Sequence, residues 1–140
     1  MEKIAVVYWS GTGNTEAMAN AVADGVRQSG GTAELFSAAQ FNAGMMDSYA
    51  SVAFGCPSMG SEELENSEFA PMFEDCKTKL SGKRIALFGS YGWGDGEWMR
   101  NWAADCTAAG AVLAAEPVIC NDAPDDAAVA ACNALGKALL

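Results

Sequence analysis

Apolar runs alternating with amphipathic stretches predict an α/β fold: a doubly wound, five-stranded parallel sheet, order 2-1-3-4-5, with helices on both faces. Runs suited to buried strands lie at residues 4–9, 51–56, 85–89 and 111–120, with a weaker one at 32–36. The three chemically most unusual stretches follow the first, third and fourth of these strands. In a sheet of this order, those loops meet at the ligand crevice beside strand 1.

The first run, IAVVYW, leads through SGTGNT into a helix over 14–28, where Met18, Ala21, Val22, Gly25 and Val26 form one stripe. Gly30 and Gly31 end that helix, and residues 32–36 and 51–56 give strands 2 and 3. Residues 68–80 carry Phe69, Met72, Phe73 and Cys76 at helical spacing, with Ser81 and Gly82 as the stop. Strand 4 at 85–89 opens into a glycine-rich loop. Beyond it Trp98, Trp102 and Cys106 recur every four residues, which makes both tryptophans helix-packing residues, and Gly110 closes their helix. Strand 5 takes residues 111–120, and a last helix fits 125–139.

A length of 140 residues, 51% of them apolar, suits one domain over 1–140 with an adequate core. No apolar run approaches the ~20 residues of a membrane span. The opening MEKIAVVYWSG enters a strand pattern with no apolar h-region, so a cytoplasmic protein is expected. The five cysteines (Cys56, Cys76, Cys106, Cys120, Cys132) include no CxxC pair and there is no histidine, which disfavours zinc sites, disulfide frameworks and a Cys-His nucleophile. Free thiols packed as small apolar groups are expected instead. A net charge of −10 repels nucleic acid and anionic lipid, so a partner should be basic.

In SGTGNT, Gly11 and Gly13 permit a sharp turn, Asn14 and Thr15 start the helix, and the hydroxyls of Ser10, Thr12 and Thr15 can donate to phosphate oxygens. The helix start adds free N–H groups and partial positive charge, so a dianion can be held without a cation. A well-capped helix is the plainer alternative. The patterns GxxxxGK[ST] and GxGxxG are both absent, and nucleotide hydrolysis would want the missing Lys and a metal-holding acid. In CPSMGSEELE, Met59-Gly60-Ser61-Glu62 reads as a four-residue turn whose first central residue is glycine. The Gly60–Ser61 peptide can then reverse its carbonyl at little cost, although an ordinary turn has the same sequence. In SYGWGDGEW, Trp93 stands between Gly92 and Gly94, which cannot anchor it in a core, and a planar ligand can lie against it. Trp9, at the end of strand 1, is open to either role.

Together the loops describe a ligand with a phosphate at one end and a flat aromatic system at the other. Six acids, Glu62, Glu63, Glu65, Glu68, Asp95 and Glu97, lie in or beside the two loops for the aromatic end. The basic residues Lys3, Arg27, Lys77, Lys79, Lys83, Arg84, Arg100 and Lys137 fall outside all three loops.

YWSGTGNTEAMA, GCPSMGSEELE and LFGSYGWGDGEWM resemble the flavodoxins, specifically the short-chain, clostridial-type members, and the likeness runs over essentially the whole chain. Residues 111–120 lack the long insertion of long-chain relatives. The resemblance implies one noncovalent FMN. It puts Ser10, Thr12, Asn14 and Thr15, with the amides of a loop that includes Gly11 and Gly13, at the phosphate. Met59 would cover one face of the isoalloxazine and Trp93 the other. Glu62 would accept from flavin N3–H, and the amides of Ser61, Glu62, Gly92 and Trp93 would meet the carbonyl oxygens. Gly60 would turn its carbonyl to N5 upon one-electron reduction. Pro57, Ser58, Ser90, Tyr91 and Gly94 complete the expected site. Some relatives have Ser where Pro57 stands, and Pro57 brings the phosphate neither hydroxyl nor N–H. Asp122, after strand 5, would approach the ribityl chain or ring edge.

The implied function is that of a low-potential one-electron carrier shuttling mainly between FMN semiquinone and hydroquinone. No catalytic residues or metal are implied. A monomer would dock transiently, through its acidic rim, to basic-surfaced reductases and oxidoreductases, with no nucleic acid or membrane involved. Carboxylates and phosphate with no nearby cation disfavour the anionic hydroquinone, which lowers the potential. An FMN-dependent NAD(P)H:quinone reductase-like enzyme is the alternative, but it usually needs a longer chain and a basic or hydroxyl-rich nicotinamide site. A response-regulator receiver would need an acidic pair after strand 1 and a phosphoacceptor Asp after strand 3, where SGTGNT and CPSMG stand.

Overall fold

A computed structural model describes residues 3–140. In chain order it contains β1 (Lys3–Tyr8), α1 (Asn14–Gln28), β2 (Thr32–Ser37), β3 (Ser51–Gly55), α2 (Phe69–Lys77), β4 (Arg84–Tyr91), α3 (Glu97–Ala108), β5 (Val112–Leu113), β6 (Val118–Asn121) and α4 (Asp126–Ala138). Two 3-10 turns, Ala38–Gln40 and Ala43–Ser48, join β2 to β3. All strands pair in parallel in the order β2-β1-β3-β4-β5, with β6 also on β4. This is the order expected from the sequence.

The expected fifth strand is not continuous. The pairing Ile85 with Leu113 resumes only at Phe88 with Val118, so residues 114–117 lie opposite residues 86–87 alone and bulge from the ladder. Pro117, which has no N–H to give to a ladder, sits immediately before β6.

Alternation along the strands divides the core into two layers. Ala5, Val7, Val52, Phe54, Ile85 and Leu87 face α2 and α3, where Phe69, Phe73 and Trp102 meet edge to face or stacked. Trp98 and Trp102 are both buried there, as their spacing predicted. Ile4, Val6, Ala53, Ala86 and Phe88 face α1 and α4. This second layer uses small residues, and its two helices meet backbone to backbone. A Cβ on Gly25 would fall 2.0 Å from the Asn133 carbonyl oxygen, and one on Gly136 would fall 2.1 Å from that of Val22.

Gly136→Ala tests this contact. Helix propensity alone would favour alanine by ~1 kcal/mol. Because the interface has no room for a methyl group, the substitution should instead destabilise the fold by about 1–3 kcal/mol in urea unfolding.

Candidate cofactor site

β1 and β3 end at one level, opposite Phe88 of β4, which runs on to Tyr91, and hydrogen bonding continues past the ends of β1 and β3. Trp9 N–H donates to Gly55 O (3.0 Å), Cys56 N–H to Phe88 O (3.1 Å) and Ser58 N–H to Ser90 O (3.0 Å). The three loops are thereby drawn around a cavity of about 220 Å³. Gly11, Thr12 and Asn14 line it from the first loop, and Pro57, Ser58 and Met59 from the second. Ser90, Tyr91 and Gly92 line it from the third, with Asp122 arriving from β6. Trp9, undecided from sequence, stands in its wall.

Gly13 caps α1 at φ 94, a backbone conformation natural only to glycine, and no side chain caps the helix from that position. Ser10 Oγ accepts from Gly13 N–H (3.1 Å) and Glu16 N–H (3.2 Å), which fixes the loop's shape. Ser10 and Gly13 line an adjoining cleft of about 390 Å³ rather than the smaller cavity. Thr15 is 1% exposed, and its Oγ1 accepts from Ser90 N–H at 3.4 Å, tying the first loop to the third.

The second loop is one residue longer than the expected turn. Met59 and Glu63 exchange N–H···O bonds of 2.8 and 2.9 Å, leaving Gly60, Ser61 and Glu62 at the tip. Gly60 lies at φ 52 and Glu62 at φ 55, the latter uncommon for a residue with a Cβ. The Glu62 carboxylate crosses to the third loop, where it accepts from Glu97 N–H (3.1 Å) at the start of α3 and lies against Gly94. A side chain on Gly94 would come within 2.6 Å of it. The positive end of α3 favours an anion at that point.

In the third loop Trp93 is 62% exposed, and across the site Met59 is 38% exposed, so the core leaves both of these large apolar side chains out. The buried Trp98 supports the cavity from behind. Its Nε1 donates to Cys56 O (3.2 Å), and its ring lies 5.4 Å from that of Tyr91. Asp122 N–H (2.8 Å) and Asn121 Nδ2 (3.2 Å) both donate to Tyr91 O and hold the β6 side in place.

The charge around the loops differs in two respects from a rim of free carboxylates. Glu65, at the end of the second loop, is turned inward: it is 6% exposed and caps α2, accepting from Ser67 N–H (2.9 Å), Glu68 N–H (2.8 Å), Phe69 N–H (2.8 Å) and Ser67 Oγ. Burial pushes its pKa up, but those hydrogen bonds outweigh it and hold the carboxyl at about 2. Against the expectation of no nearby cation, Arg100 folds back from α3 onto the third loop, donating to Asp95 Oδ1 and O, each at 3.0 Å. One cation therefore does reach the loops, although no Lys or Arg lines the cavity.

FMN suits these donors. Its phosphate would meet the helix-start N–H groups that Ser10 Oγ does not already take, and its ring would meet Met59 and Trp93, two large apolar side chains left exposed in these loops. A phosphate-type loop at the point where strand order reverses, opening on a cavity with aromatic walls, defines a nucleotide-cofactor-binding α/β protein.

The comparisons with known proteins narrow that class. The family model described as flavodoxin matches residues 6–134. The flavodoxin of Megasphaera elsdenii is 44% identical over 135 residues, covering 96% of each chain. That of Clostridium beijerinckii is 45% identical over 122 residues, covering 87% of this chain and 88% of its own. The solved structure of the two-electron-reduced Megasphaera protein superposes with a TM-score of 0.90 at 45% identity, covering 97% of each chain. The chain belongs to the flavodoxin family, whose members bind FMN and transfer electrons without being enzymes. That sets aside the reductase and receiver alternatives.

The Glu65 cap predicts an acid-sensitive stability. A carboxyl held at about 2, below its usual 4.5, stabilises the fold fully above pH 4.5 and loses that contribution as pH falls towards 2. Glu65→Gln should therefore cost ~3 kcal/mol at neutral pH, and the gap between the two proteins should close on acidification. Denaturant melts from pH 7 to 2 measure it.

Proposed function

We propose that this chain holds one FMN noncovalently among its three loops and carries single electrons at low potential. It would work mainly between the cofactor's one-electron-reduced and fully reduced states. The observation that supports this best is the convergence of the three loops on one cavity lined by no Lys or Arg. FMN supplies the redox chemistry; the chain binds it and sets the charge and hydrogen bonds around it.

In this reading Ser10, Thr12, Asn14 and Thr15, with the N–H groups of their loop, take the phosphate, and Gly11 and Gly13 let the backbone approach. Pro57 contributes surface without a donor, beside Ser58. Met59 and Trp93 cover the ring, and the amides of Ser61, Glu62, Gly92 and Trp93 donate to its carbonyl oxygens. Glu62 accepts from N3–H while the α3 start holds its carboxylate, and Gly60 offers its carbonyl to a proton at N5. Ser90, Tyr91 and Gly94 shape the pocket, and Asp122 stands at its β6 edge. Carboxylates around an uncharged-donor site work against an added negative charge, which keeps the potential low.

Among the described residues no helix is long and apolar enough to cross a membrane. We place the protein in the cytoplasm as a monomer. Its net charge of −10 and the exposed Glu63, Asp95 and Glu97 beside the loops suit transient contact with basic-surfaced reductases and oxidoreductases.

Anaerobic reductive titration followed by visible absorbance should show a yellow protein passing through a long-lived one-electron-reduced state. Alanine at position 60 resists positive φ by about 1 kcal/mol, so Gly60→Ala should lower the first one-electron potential by roughly 50 mV. An unchanged potential would refute the carbonyl role. A flavin bleached rapidly by NAD(P)H alone would instead restore the reductase reading.

A further inference from the structure

We propose that Trp9 is the partition separating the cofactor cavity from the acidic cleft behind it, and that Glu68 is the positioning residue that latches this partition. The inference rests on the FMN reading above. Among the residues lining the 220 Å³ cavity and the 390 Å³ cleft, only Trp9 and Gly11 are shared, so they form the wall between the two spaces. Glu68 lines the cleft alone and therefore stands behind the indole as seen from the cofactor side.

The wall consists largely of the indole itself. Gly11 contributes no side chain, and a Cβ there would come within 3.0 Å of the Trp9 ring. Trp9 is only half-buried at the end of β1, where core packing gives one side of the ring little to rest on. Its directional restraint is the bond from Nε1 to Glu68 Oε1, 3.0 Å long and spanning 59 residues of sequence. The anchor is itself fixed, because Glu68 N–H donates to the buried Glu65 carboxylate at 2.8 Å. The chain of restraint thus runs from the α2 cap through Glu68 to the wall of the cofactor cavity. Without the latch the indole can swing away. The two spaces then merge, and the phosphate end of the cofactor, held in the loop that follows Trp9, meets water and the carboxylates of Glu16 and Glu68.

The test uses FMN-loaded protein and four variants: Glu68→Ala, Glu68→Gln, Trp9→Phe and the Trp9→Phe/Glu68→Ala double. FMN dissociation is followed by recovery of flavin fluorescence, and the Trp9 indole N–H by its ¹⁵N–¹H resonance, assigned through its loss in Trp9→Phe. Glu68→Ala should weaken FMN binding about tenfold and move or broaden the indole resonance. Glu68→Gln, which keeps a carbonyl acceptor, should stay within about twofold of the parent. In the Trp9→Phe background, Glu68→Ala should cost nothing more, since the donor is already gone.

Parent-like affinity in Glu68→Ala overturns the proposal. So does a Glu68→Gln as weak as Glu68→Ala, because charge and not the hydrogen bond would then be acting, and so does an undiminished Glu68→Ala effect in the Trp9→Phe background. If melting shows that Glu68→Ala does not fold, Trp9→Phe alone decides, with the same tenfold loss expected and parent-like binding overturning the latch. A parent protein that takes up no FMN removes the cofactor reading as well, an outcome distinct from all of these.

Discussion

Everything at the site depends on β1 being paired along both edges. β2 lies on one side in register from Lys3–Thr32 to Tyr8–Ser37, and β3 on the other from Ile4–Ser51 to Tyr8–Gly55. The chain leaves β1 for one neighbour and later returns on its opposite side, so the connections above its carboxyl end part and leave a crevice. Because β1 is buried on both faces, its register cannot slip without turning Ile4 and Val6 out of one layer and Ala5 and Val7 out of the other. The position of the 10–15 loop is thus a consequence of core packing. Residues 57–58 and 90–92 join it because β3 and β4 are locked to the same register.

Local features of the loops reinforce this arrangement. Thr15 reaches Ser90, Glu62 reaches the start of α3, and Trp98 ties α3 to the end of β3. Each bond joins two different loops or elements, so the cavity walls are braced by the same polar groups that line or adjoin them. Loosening one loop therefore leaves a donor or acceptor unpaired in another.

What could be read in the sequence was whatever repeats with a period or concentrates in a short motif. Runs of two-face burial gave four strands within a residue or two of their ends, and α1 begins at Asn14 and ends at Gln28 as its stripe implied. The four-residue spacing of Trp98 and Trp102 separated core rings from Trp93. Long-range side-chain bonds left no such trace, which is why Glu62 as a brace of α3 and the Trp9–Glu68 contact were invisible. The two 3-10 turns before β3 have no helical periodicity; Lys83 holds the second of them, donating to the carbonyls of Met46 (2.9 Å) and Tyr49. Some misses did have a signal. Pro117 inside the supposed fifth strand, where it has no N–H to give to the ladder, marked the place of the break at 114–117. Glu65, shortly before a helix start and followed by Ser67, has the pattern of a cap. Arg100, five residues past Asp95, was near enough to fold back on it.

The glycine contact between α1 and α4 has a consequence far from its own position. Gly25 and Gly136 bring the two helices together at backbone distance, so α1 has no lateral slack against its neighbour. The other end of α1 supplies the N–H dipoles of the 10–15 loop, and those dipoles are as stationary as the helix that carries them. Surroundings whose dipoles are already oriented and cannot relax far keep the reorganisation energy of a charge change small. A carrier that gains and loses an electron benefits from stiffness of that kind, and here it originates in two missing side chains near the opposite end of the same helix.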